Sequence, residues 1–150
     1  MKRKLKRKWI LVAILILFGF WLFRTQTMMG VAKLDMETAN VGTIIVMDDG
    51  RHRRAEFEDK EIIKELFELL ENTEVRFDGW WTDTIRYDAR EKLYHLKFYD
   101  EKWLPSSELF YFCTNGNVYY GNFLYKLQGE NMQKCTDVLE GILQEYEVME

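Results

Sequence analysis

Proline occurs once in this 150-residue chain, at Pro105, and cysteine, histidine and serine occur twice each. Each shortage removes a class of chemistry. The two serines, Ser106 and Ser107, stand outside any G-x-S-x-G setting, so no nucleophile elbow is encoded. His52 and His95 have no cysteine or second histidine at ligand spacing, which leaves no zinc signature. The nine glycines form neither a G-x-G-x-x-G nor a Walker pattern, and the aspartates do not follow the calcium-loop spacing. No cofactor is therefore expected. Cysteine is missing from the N-terminal stretch, which excludes a lipid-modified N-terminal Cys. Internal repeats and low-complexity tracts are absent as well.

Acidic side chains are absent from residues 1–29, which carry seven basic ones: Lys2, Arg3, Lys4, Lys6, Arg7, Lys8 and Arg24. The other 121 residues hold 14 of the 21 basic side chains and all 25 acidic ones, a net charge of −11. A cationic tip thus sits on an anionic body. Such a body argues against duplex nucleic acid as its main partner, because phosphate binding rests on Lys and Arg, and no nucleic-acid partner is expected. With aromatic residues at 15% of the chain, about 120 residues can bury a core without staples.

After the basic start, Trp9–Phe23 run for fifteen residues without a polar side chain. A positive n-region followed by an apolar h-region is the arrangement of a signal sequence. The expectation is a signal-anchor: residues 1–29 form a transmembrane helix that contacts membrane lipid through residues 9–23. The N-terminus would be cytoplasmic and the rest outside. Fifteen residues span about 22 Å, short of the roughly 30 Å hydrocarbon core. Continuation through Met28 and Met29, with Arg24 snorkelling, would make up the difference. Cleavage near Ala32, with release of a secreted form, is the alternative. Residues 30–40 read as a stalk and residues 41–150 as one extracytoplasmic domain.

Within that domain, strands are expected at Thr43–Met47 and Arg53–Phe57 around an Asp-Gly turn. Asp59 is a good N-cap for a helix to about Asn72, with Ile62, Ile63, Leu66, Phe67, Leu69 and Leu70 in one stripe. A short strand at Val75 and Phe77 follows, then Ile85–Tyr87, Leu93–Tyr99, Glu108–Thr114, Val118–Tyr120 and Phe123–Leu127. Asn115-Gly116 predicts a two-residue type I′ hairpin. A closing helix over Glu130–Glu147 carries Met132, Cys135, Val138, Leu139, Ile142, Leu143 and Tyr146 on one side. The fold class is α+β: a mainly antiparallel sheet of five to seven strands with two packed amphipathic helices, preceded by the transmembrane helix.

Three features could carry recognition or chemistry. Trp80 and Trp81 are adjacent beside a turn and cannot both point inward from a regular strand, so one is a candidate for an exposed binding surface. Packing of both is the competing reading, and Asp78, Asp83 and Asp88 cluster around them. Arg51, Arg53 and Arg54, with His52, form a basic island that suits an anionic partner or is an ordinary solvated strand end. Cys113 and Cys135 fall on a strand and on a helix stripe that face one core, so a disulfide and two buried thiols are both open. A Cys113–His95 pair is a further possibility that nothing in the sequence promotes.

The hairpin Thr43–Phe57, the acid-capped helix after Asp59 and the run Val118-Tyr119-Tyr120-Gly121-Asn122-Phe123-Leu124-Tyr125 resemble the small extracytoplasmic domains that Gram-positive bacteria tether by an N-terminal segment. The resemblance covers about residues 41–147 and implies an architecture. It implies no activity and no functional residue. The expected role is a non-catalytic binding or accessory module at the cell envelope, with an envelope or membrane protein as partner. An envelope hydrolase with an acidic active site and a small subunit of a membrane complex are the alternatives.

Overall fold

A computed structural model describes residues 2–32, 39–80, 91–99, 108–129 and 131–147. In chain order the elements are α1 (Lys2–Phe23), β1 (Gln26–Thr27), α2 (Met28–Ala32), β2 (Val41–Asp48), β3 (Arg51–Phe57), α3 (Lys60–Asn72), β4 (Glu74–Trp80), β5 (Leu93–Tyr99), β6 (Glu108–Cys113), β7 (Asn117–Tyr120), β8 (Phe123–Leu127) and α4 (Asn131–Tyr146). The strands form one sheet in the order β1-β4-β8-β7-β6-β5-β2-β3, antiparallel at every pairing. The α+β class therefore holds, with eight strands in place of five to seven.

Both amphipathic helices form where the 3.6-residue stripe predicts them. Asp59 caps α3, its side chain accepting from the Glu61 amide at 2.8 Å, and Ile63, Leu66, Phe67, Leu69 and Leu70 are buried. On α4 the buried residues are Cys135, Leu139, Ile142 and Leu143. These two faces meet Ile44, Val46, Phe57, Tyr94, Leu96, Phe110, Phe112 and Val118 from one face of the sheet. Gly42 belongs to that layer, with the ring of its cross-strand partner Phe57 lying so close that a Cβ would collide with it.

The turns follow from local chemistry. Asp49 and Gly50 both take positive φ, 45° and 76°, in a two-residue loop between Asp48 and Arg51. Asn115-Gly116 does not form the predicted type I′ turn. Only Gly116 has positive φ, at 88°, and its amide donates to the Cys113 carbonyl at 2.9 Å. The Asn115 side chain accepts from the Asn117 amide at 2.9 Å, a local bond that leaves Asn115 outside the left-handed region and lengthens the loop to Thr114-Asn115-Gly116.

The expected transmembrane helix is overturned. Among the described residues no helix is long and apolar enough to cross a membrane. The first turns of α1 are spent on the cationic residues 2–8, so only Trp9–Phe23 are apolar, and the helix stops at Phe23 instead of continuing. The continuation expected through Met28 and Met29 is prevented by the domain itself. Gln26 and Thr27 pair with Val75 and Glu74 of β4, Met28 donates its amide to the Thr73 carbonyl, and Met28 and Ala32 are buried in the core. Burying Met28 against the sheet replaces a lipid contact with a packed one. The strand expected at Ile85–Tyr87 lies outside the described residues, as do Trp81, Asp83 and Asp88.

Candidate functional site

The largest exposed apolar surface belongs to α1. Trp9, Leu15, Leu17 and Phe20 are 67–81% exposed, and the exposed residues point in every direction around the helix. A helix that is apolar all round is normally a buried one. At its end, Phe23 packs edge-on to Phe77 of β4 with ring centroids 5.7 Å apart. Phe77 in turn meets Trp80 at 6.0 Å, and Trp80 meets Phe123 of β8 at 4.7 Å. Trp80 is 67% exposed and is the one exposed large hydrophobic outside α1 among the described residues.

A break in register puts Trp80 there. Phe77 pairs with Tyr125 and Gly79 with Leu124, so one residue of β4 is extra. Strict alternation from Phe77 would send Trp80 to the opposite face. The bulge at Asp78 returns it to the side of Phe77 and Phe123. The expectation that one of the two tryptophans is exposed thus has a definite geometry at Trp80, while Trp81 lies outside the described residues.

The sheet face away from the helices carries a second group. Ile45, His95, Tyr111, Tyr119 and Leu124 stand in register across five strands. His95 is 9% exposed and stacks on Tyr111 at 4.0 Å, and neither ring nitrogen has a hydrogen-bond partner among the described residues. Burial, with the Lys97 charge nearby, lowers its pKa to about 4, so the imidazole is neutral. Beside this row the Cys113 thiol contacts the Glu91 carboxylate, which also accepts from Asn115 at 3.0 Å. Burial pushes the Cys113 thiol up to about 11, which keeps it protonated and a poor nucleophile. The ring of His95 is engaged by Tyr111, and Cys113 by Glu91; the structure does not assemble a Cys113–His95 dyad.

Cys135 lies on the other side of the sheet, with its sulfur 3.4 Å from Thr73 Oγ1. Both thiols are free, and the alternation of β6 explains it: Phe112 faces the helices, so Cys113 faces away from Cys135.

The basic island is divided in the same way. Arg53 shares the face of Ala55 and Phe57 and donates to Glu140 of α4 at 2.8 Å and to Glu147 at 3.1 Å. Arg54, on the opposite face, pairs with Glu56 at 2.7 Å, and Arg51 is exposed. Glu140 is the hub that sequence reasoning missed. It also accepts from Lys92 and from the Tyr94 hydroxyl, both at 2.8 Å. Burial works to raise the Glu140 pKa, but the bonds from Lys92, Tyr94 and Arg53 outweigh it and bring the carboxyl down to about 2. Its place on the stripe boundary of α4, one position after buried Leu139, is the only sequence signal it offers.

Among the described residues no group of three or more His, Cys, Asp or Glu side chains is placed to hold a metal ion. Comparison with protein-family models, with curated proteins and with solved structures finds no match to this chain.

Proposed function

We propose that this protein is a non-catalytic binding or accessory module that associates with membrane lipid through residues 9–23. The observation that carries this reading is the exposure of α1, where twelve large apolar side chains between Trp9 and Phe23 lie open to solvent. At about 25 cal/mol per Å² of apolar area, leaving such a helix in water is costly, and exposed apolar patches of this extent mark interaction surfaces. Lipid suits it better than a protein groove for two reasons. The helix has no single stripe to lay into a groove, and its cationic start fits anionic headgroups.

The reactive groups of the body support a non-catalytic role. Glu140 is saturated by three donors, Cys113 is protonated and His95 is stacked. These arrangements stabilise a fold, and among the described residues none of these groups joins a nucleophile to a base.

The test is flotation of the full chain with vesicles that contain about one-third anionic lipid. The wild-type protein is expected to float with the vesicles. The double variant Ile14→Glu, Leu17→Glu should remain in the dense fraction with an unchanged thermal melt. A wild-type chain that does not float would overturn the reading.

A further inference from the structure

Resting on the lipid-association reading, we infer that Trp80 is a second membrane contact, so that the β4–β8 end of the sheet lies against the headgroup layer. The apolar run ends at Phe23, and Arg24 follows at once, so the lipid-facing part of α1 ends at this pair. Phe23 is also the residue of α1 that touches β4. Trp80 packs on the same Phe77 ring, which puts it within reach of the headgroup depth at which Phe23 would lie.

Tryptophan is the side chain enriched at that depth, because its ring is apolar and its indole N–H is a donor. The surroundings match. Phe123 braces one side of the Trp80 ring, and the turn between Tyr120 and Phe123 places exposed Gly121 and Asn122 beside it. The bulge at Asp78 keeps Trp80 on the side of Phe77, the ring on which Phe23 of α1 also packs, and Trp80 is nevertheless 67% exposed there.

The surface makes an orientation. Phe23 on Phe77 and Gln26 paired with Val75 already tie α1 to β4, and the Trp80 contact fixes which side of that strand approaches the lipid.

The experiment uses the full chain with Trp9, Trp21, Trp81 and Trp103 replaced by Phe, which leaves Trp80 as the only indole. Vesicles of about one-third anionic lipid carry bromine on the acyl chains near the headgroups. Quenching and a blue shift of Trp80 emission on vesicle binding are expected. In the otherwise wild-type chain, Trp80→Ala should weaken vesicle binding roughly fivefold, with Trp80→Phe in between. Because Trp80 is exposed, neither substitution should move the thermal melt. Vesicle binding with Trp80 unquenched and Trp80→Ala at wild-type affinity would overturn the second contact and leave lipid association by α1 standing. No vesicle binding by the wild-type chain would overturn both.

Discussion

At the scale of single residues, two groups tie stability to pH. His95 is neutral in the fold, with a pKa of about 4 against an ordinary 6.5. The unfolded chain therefore takes up the proton first as pH falls, and stability is full above about 6.5 and declines toward 4. A gap of this size corresponds to about 3 kcal/mol. Glu140, held near 2 against an ordinary 4.5, acts in the same direction in a lower window. It is ionised in the fold while the unfolded chain protonates, so its contribution is lost between about 4.5 and 2. Urea midpoints measured from pH 7 to pH 3 should fall in two stages. His95→Phe should remove the upper stage and keep the stack on Tyr111, with neutral-pH stability equal or higher because two unpartnered nitrogens are gone. A wild-type midpoint that stays level from pH 6.5 to 4.5 would contradict the assignment.

At the scale of elements, α3 depends on its first turn. Asp59 sits in extended geometry with ψ of 117° and accepts from the Glu61 amide. Asp59→Ala should cost about 1 kcal/mol in denaturant unfolding, and Asp59→Ser should recover most of it. Helices of this kind were readable from spacing because burial on one side imposes the period on the sequence itself. The strands were readable in the same way where one face is buried, as at Leu93–Tyr99. The short β1 pair Gln26–Thr27 and the bulge at Asp78 were not. Their residues carry no periodic signal, and both exist because a partner strand holds them. The Asn115-Gly116 turn shows the same limit, since an Asn115 side-chain bond and Lys126 Nζ, 2.8 Å from the Asn115 carbonyl, select the longer loop.

At the scale of the whole molecule, charge is segregated along the chain, with seven cations before residue 30 and a net −11 after it. Attraction of the cationic end to anionic vesicles is screened over about 8 Å at 0.15 M salt, and basic residues near such a surface contribute about 1 kcal/mol each. Vesicle affinity should therefore drop at least tenfold between low and molar salt, measured by co-sedimentation. The contribution of the apolar run should remain, so binding should weaken without vanishing. Affinity that does not change with salt would assign the association to the apolar residues alone.

The sequence by itself determined the α+β class, the two amphipathic helices, the Asp59 cap and the segregation of charge. Each is a local pattern, and local periodicity or composition suffices to encode it. Tertiary structure decided the rest. It drew Met28 and Ala32 into the core and ended the helix at Phe23, which a hydropathy pattern cannot foresee because the competing partner is a strand about fifty residues away. It split the basic island by strand alternation, sending Arg53 to Glu140 and Arg54 to Glu56. It set Cys113 and Cys135 on opposite faces of one sheet and, through a bulge, put Trp80 on the side of Phe77 and Phe123. Apart from the local Arg54–Glu56 pair, the deciding contacts join residues far apart in the chain, and only the register of the closed sheet specifies which residues meet.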